Sequence, residues 1–414
     1  MPHPEDITWQ MLAPAPVRGD RPACEIMRSV VGSEAVGRLL ASASDADEPI
    51  LLCVNDSHRA THTRLTLEAL ADVVARQPER PRFRAIVATG THRFSQRNRQ
   101  EFERATFADC GLRIEEVCWH DADDCSQLVE IAGVRMHRSL AASKYLLPIG
   151  SVEPHYFAGV TGAHKTVTIG CMAREDIERN HAGALAPASG ILRLAGNPVF
   201  DHIAEVVRAL QASGKTIVAI NQIIRGEALV SAVAGDPITV LDTLLPAVRS
   251  IYLRQVPEPA DVLRLKVPPP LGANLYQADK ALKNNHQAVR DGGGILLEAD
   301  CPEGIGPDDF MNLLRQGADY KTVLRCVERK GYRLGDHKAV KLRQLTDPNC
   351  RGVRIALLSC HVSPSDAATA GMNVFGQVEP ALAWLAETVW GPLERGLTIE
   401  DAGHLCVVAR SLLP

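Results

Sequence analysis

Glu48–Asn55 reads EPILLCVN, and residues 56–62 continue as DSHRATH. A short apolar run that stops at polar residues is the pattern of a strand buried on both faces. The run is too short for a buried helix, and Asn55, Asp56 and Ser57 suit a loop. From Thr63, the residues Leu67, Leu70 and Val74 return at helical spacing. Strand, polar loop and helix together are one half of a βαβ unit.

The same punctuation recurs outward from this stretch. Arg84–Ala88 (RAIVA) predicts a second buried strand, ending in TGTHR at 89–93. Lys144–Ile149 (KYLLPI) predicts a third, running into a loop rich in glycine and histidine. Asn197 suits a helix cap, Pro198 a first turn and Gly214 a stop, with Ile203, Val206, Val207 and Leu210 on one apolar face. Lys215–Ile224 then reads as a strand. Alternation of this kind predicts an α/β fold with mainly parallel sheets, whose ligands sit beyond the carboxyl ends of the strands.

The chain has 414 residues, more than one ordinary core serves, so two α/β domains are expected, 1–258 and 259–414, with the active site in the cleft between them. The proline-rich stretch Pro257–Pro270 reads as the connection. Beyond it, Leu275–Val289 predicts a helix, Gly292–Gly294 leads into a strand at Ile295–Glu298, and helices follow around Phe310–Gln316, Tyr320–Arg329 and Pro380–Val389. A strand at Val353–Ser359 lies among them.

Composition excludes several classes. A net charge of −4, without a basic stripe, argues against nucleic-acid binding. No apolar run is long enough to span a bilayer, and the start MPHPEDITWQ lacks the pattern of a signal peptide, so a cytoplasmic protein is expected. Eleven scattered cysteines, an odd number with no C-x-x-C pair, argue against a disulfide framework or a thiolate zinc site.

The polar loops carry the candidate chemistry. His92 and His155 suit proton transfer near neutrality, and His181 suits a borderline metal. Arg59 and Lys280 suit a carboxylate. Gln277, Lys280 and Asn284 share one helix face, which also fits a merely solvated stripe. Gly162–Thr166 (GAHKT) lacks the full phosphate-loop pattern, and Gly292–Gly294 precedes a strand where a dinucleotide fingerprint follows one. Three histidines leave open a metal-dependent hydrolase or lyase that uses His92, His155 and His181 as direct ligands.

Taken together, the motifs are similar to those of the nickel-dependent lactate racemase family. They are NDSHR at 55–59, ATGTHR at 88–93, PHYFAG at 154–159, GAHK at 162–165, NH at 180–181, GNPV at 196–199, AGD at 234–236 and NLYQADK at 274–280. The resemblance implies a racemase or epimerase that inverts C2 of a 2-hydroxyacid. Hydride would pass to and from a nickel-pincer nucleotide (the nickel complex of pyridinium-3,5-bisthiocarboxylic acid mononucleotide) through a 2-keto acid. It implies that Lys165 carries this cofactor covalently, with Asp56, Ser57, Gly162 and His164 beside it, and that His181 ligates the nickel. His92 and His155 would be the two bases, and Arg59, Tyr276, Gln277 and Lys280 would contact substrate. Separate maturation enzymes would be partners. The sequence departs from the family at His164, where many relatives carry Arg, and at Ser57-His58, where Thr-like and small residues are more usual.

Overall fold

The computed structural model describes residues 7–15 and 21–412. The strands of its two large sheets are, in chain order, β1 (Thr8–Leu12), β2 (Ile50–Asn55), β3 (Phe83–Ala88), β4 (Ile114–Trp119), β5 (Tyr145–Ser151), β6 (Ala219–Arg225), β7 (Ala228–Gly235), β8 (Ala260–Lys266), β9 (Val289–Glu298), β10 (Arg354–Leu358), β11 (Met372–Phe375) and β12 (Arg395–Ile399). They fall into two compact units. One comprises Pro16–Gly183 with Ala188–Arg249, and the other gathers the chain from Ser250 onward, Ala184–Pro187 and the segment that carries β1.

In the N-terminal unit the sheet order is β7-β6-β5-β2-β3-β4, with Thr216–Ile217 as a short extra strand against β5. Every pairing is parallel except the β6–β7 hairpin. Alternation along β2 decides the layering. Leu52 and Val54 join Val87, Ile149 and Ile220 in one core, where the helices Ala23–Val31, Glu34–Asp45 and Thr63–Val74 lay their apolar sides. Leu51 and Cys53 are equally buried on the opposite face. Each such leucine contributes roughly 1.5–3 kcal/mol of burial, which explains why the run has no polar alternation.

The C-terminal unit holds an all-parallel sheet in the order β1-β12-β8-β9-β10-β11. Leu263, Leu265, Ile295, Leu297, Ile355 and Leu357 face one core, and Val262, Leu296 and Ala356 face the other with Leu385.

Several expectations need correction. The proline-rich stretch is no linker: Ala260–Lys266 within it is an interior strand, paired with both β9 and β12. Its prolines flank the strand, where no ladder donor is missing. The unit boundary instead falls near Ser250, inside the helix Val240–Tyr252, and Thr8–Leu12 pairs with β12 of the C-terminal unit. The helix at Leu275 ends at Asn285, a short 3-10 turn follows, and Val289 opens β9. Asn285 causes the stop. Its Nδ2 donates to the carbonyls of Ala281 and Ala402, 2.9 Å each, and its Oδ1 accepts from the Val407 amide. The triple glycine lies inside β9 rather than before it, and Gly292 at φ 66° leaves room for the Trp390 ring.

Candidate active site

In the N-terminal unit the functional side chains gather at the carboxyl ends of β2, β3 and β5, as parallel sheets dictate. Asp56 follows β2 and is 3% exposed. One carboxylate oxygen accepts the backbone N–H of His58 at 2.9 Å, and the other lies 2.8 Å from His92 Nδ1. His92 arrives on the loop after β3. An ionised carboxylate can only accept, so this contact puts a proton on Nδ1 and leaves Nε2 basic. His58 stands edge-on to His92 with ring centroids 4.7 Å apart, and its Nδ1 is 3.6 Å from Asp56. Burial holds the His58 pKa below its ordinary value; Asp56 opposes that shift, and His92 and Arg59 reinforce it. Ser57 is exposed on the same turn, and Arg59 reaches to 3.8 Å from Glu153.

The Lys165 loop is fastened by polar residues of the sheet. Thr166 donates to Asn55 Oδ1 at 2.8 Å, and Asn55 Nδ2 donates to Thr61, tying both loops to the end of β2. The amide of Ala163 donates to Asn221 Oδ1 of β6 at 2.8 Å. Close approach makes two glycines necessary. A Cβ on Gly150 would lie 2.6 Å from the Ala163 nitrogen, and Gly162 has φ 150° with Asn221 and His164 pressed against it.

Phe157 is the hub of the remaining residues. Its ring lies 4.4 Å from the His155 ring and 5.0 Å from that of His181, and Lys165 Nζ sits 5.6 Å from its centroid. Burial, with Arg59 nearby, pulls the Lys165 amine down to about 7, while Glu153 opposes that shift. Burial, aided by Lys165, lowers the His181 imidazole to about 3, so it is neutral at physiological pH. Its Nδ1 is 3.1 Å from Asn180 Oδ1. His155 Nδ1 accepts the Ala158 amide at 3.3 Å, which places its ring proton on Nε2. The His164 side chain has no exposed surface; it packs 5.7 Å from Phe200, and neither ring nitrogen has a hydrogen-bond partner.

Tyr276, Gln277 and Lys280 belong to the C-terminal unit, on the helix Leu275–Asn285 that Asn274 caps through the Gln277 amide. Gln277 is exposed, Lys280 half-buried and Asn284 buried, so the shared face runs from solvent into the core. Lys338 fixes Tyr276 twice, donating to its carbonyl at 2.5 Å and standing 3.8 Å over its ring. Burial, with Asp279, pushes the Tyr276 phenol up to about 12.

Among the described residues, the one grouping of three ligating side chains is Asp56, His58 and His92. His155 and His181 are not part of it, so His92, His155 and His181 do not form the common metal site that a hydrolase would need. Sequence reasoning noted His58 only as a departure within its motif and assigned no role to Glu153, Phe157, Asn221 or Gln222. The last two had a signal: adjacent polar residues inside the apolar run of β6. Gln222 bridges the His62 amide and the Thr66 hydroxyl, 2.8 Å each.

Similarity to known proteins places this arrangement, a covered, mainly parallel sheet with histidines and a low-pKa lysine at its carboxyl edge, in an enzyme of the isomerase class, a racemase. The family descriptions "Lactate racemase N-terminal domain" and "Lactate racemase C-terminal domain" match residues 2–191 and 262–333. The chain belongs to the lactate racemase family. It is 24% identical to a lactate racemase of Thermoanaerobacterium thermosaccharolyticum over 318 residues, 74% of this chain and 72% of that protein. It is 25% identical to one of Lactiplantibacillus plantarum over 252 residues, 59% and 58% of the two chains. In fold it is similar to the lactate racemase apoprotein of T. thermosaccharolyticum, with a TM-score of 0.82 at 20% identity, covering 97% and 95% of the chains. A protein of Thermotoga maritima matches with a TM-score of 0.68 at 13% identity, covering 95% and 100%.

Proposed function

We propose that this protein inverts C2 of a 2-hydroxyacid with a nickel-pincer nucleotide carried on Lys165. The observation that carries the reading is the setting of that lysine. An amine with a pKa of about 7 is a nucleophile at neutral pH, as a covalent tether requires. Around the same phenylalanine stands His181, whose neutral imidazole is the form that ligates a metal. The residues present therefore fit the group. When bound, it supplies a hydride acceptor, a capacity that no side chain has.

The chain's own residues supply the rest. His92, oriented by Asp56, offers a basic Nε2 to the substrate hydroxyl, and His155 presents a protonated Nε2 to a substrate oxygen. Arg59 suits the substrate carboxylate through its planar fork, and Tyr276, Gln277 and Lys280 are the further candidates for substrate contact. Gly162 and Ser57 lie on the loops that would border the cofactor. His164 shapes the turn beside Lys165. Eleven free cysteines support a reducing cytoplasm, where maturation enzymes assemble the cofactor.

The test is a single enantiomer of a 2-hydroxyacid labelled with deuterium at C2, given to loaded enzyme. The inverted product is expected to keep deuterium, because the hydrogen never exchanges with water. Solvent hydrogen at C2 of the inverted product would show a carbanion route instead.

A further inference from the structure

We propose that Asp56, His58 and His92 form a binding site for a divalent transition cation of the Zn2+ class, and that occupancy takes His92 out of proton transfer. The site shares no residue with Lys165 or His181. Its donors, one carboxylate oxygen and two imidazole nitrogens, lie within 4.8 Å of one another. Two nitrogens and an oxygen suit borderline ions such as Zn2+ and Co2+ and disfavour Ca2+ and Mg2+, which take oxygen.

The geometry is close to what such an ion needs. Zinc bonds of about 2.0–2.2 Å in a tetrahedral site put donor atoms roughly 3.3–3.5 Å apart. His58 Nδ1 already stands 3.6 Å from one oxygen of Asp56, and His92 Nδ1 stands 2.8 Å from the other. The imidazole planes are inclined by 70°, and each ring turns its Nδ1 toward the carboxylate.

Access and anchoring are divided between the residues. The His58 and His92 side chains are 57% and 42% exposed, so an ion reaches them from solvent without any opening of the fold. Asp56 is buried and held by the His58 amide, which gives the site a fixed anionic base. On binding, the ion takes the place of the proton on His92 Nδ1, and the neutral ring carries its one proton on Nε2 instead. Nε2 then has no lone pair with which to accept the substrate's hydroxyl proton. That consequence for turnover rests on the racemase reading; the binding itself does not.

The test titrates untagged, cofactor-free full-length protein with Co2+, read by its visible absorption, and with Zn2+ against a chromophoric chelator. One equivalent is expected to bind. His58→Ala should weaken binding at least about tenfold, with His58→Gln as a second variant, while Lys165→Ala and His181→Ala leave it unchanged. Absence of binding at micromolar ion, or a wild-type affinity in both His58 variants, overturns the site. In loaded enzyme, Zn2+ should abolish turnover, with recovery on chelation and a weaker effect in His58→Ala. Full turnover with the ion bound overturns the inhibitory role. Ion binding by a protein that racemises no 2-hydroxyacid would instead count against the racemase reading alone.

Discussion

Graded acylation of the Lys165 amine measures how far the site has prepared it for attachment. An ordinary lysine has a pKa of roughly 10.4, so at pH 7 about one in 2,500 amines is neutral. Burial and Arg59 bring Lys165 to about 7. About half of it is then neutral at that pH, an increase on the order of a thousandfold. The assay is a pulse of acetic anhydride on cofactor-free protein across pH 5–11, quantified by peptide mass, with exposed Lys330 as the internal reference. Lys165 should reach half-maximal labelling near pH 7. The neighbours fix the signs of two variants. Glu153 raises the Lys165 pKa, so Glu153→Gln should shift the midpoint to lower pH. Arg59 lowers it, so Arg59→Leu should shift it to higher pH. A wild-type midpoint above pH 9, or variant shifts of the opposite sign, refutes the reasoning.

Three further outcomes follow from the same geometry. Asp56→Asn removes a charge-assisted bond worth roughly 1.5–3 kcal/mol, so kcat of loaded enzyme should fall about 10- to 150-fold; a loss under twofold would dissociate Asp56 from His92. Burial lowers His120 to about 4 and His164 and His181 to about 3, so below an unfolded value of roughly 6.5 the unfolded chain binds more protons than the folded one. Their stabilising effect is complete above that pH and is lost as pH falls from about 6.5 toward 4 and 3. The melting temperature should therefore drop from pH 7.5 to pH 5, and less so in His164→Leu; equal slopes contradict this. Gly150→Ala drives a methyl into the Ala163 backbone and should cost roughly 1–3 kcal/mol in a denaturant melt.

What the sequence revealed depended on locality. β2 was legible because its burial is continuous and its loop polar, and Asn197–Gly214 because both helix signals stand in the text. The strand Ala260–Lys266 was hidden by its flanking prolines, whose exclusion applies within a ladder and not at its ends. Thr8–Leu12 was invisible as part of the C-terminal unit because its partner, β12, lies nearly 400 residues onward. In the site, motif order named His92, His155, Lys165 and His181. It did not show Phe157 among the last three, nor the bond between Asp56 and His92, because both arise where separate loops converge. His58 was noticed as a departure in the motif, but only the fold sets its ring beside His92.

The central claim is a nickel-bearing group on Lys165. Intact mass and nickel content of protein produced together with the cofactor-maturation enzymes test it most directly, with Lys165→Ala as the control. The account predicts a nucleotide-sized mass increase with about one nickel per chain, both absent in the variant. Well-folded protein with neither adduct nor nickel, produced under those conditions, would contradict it.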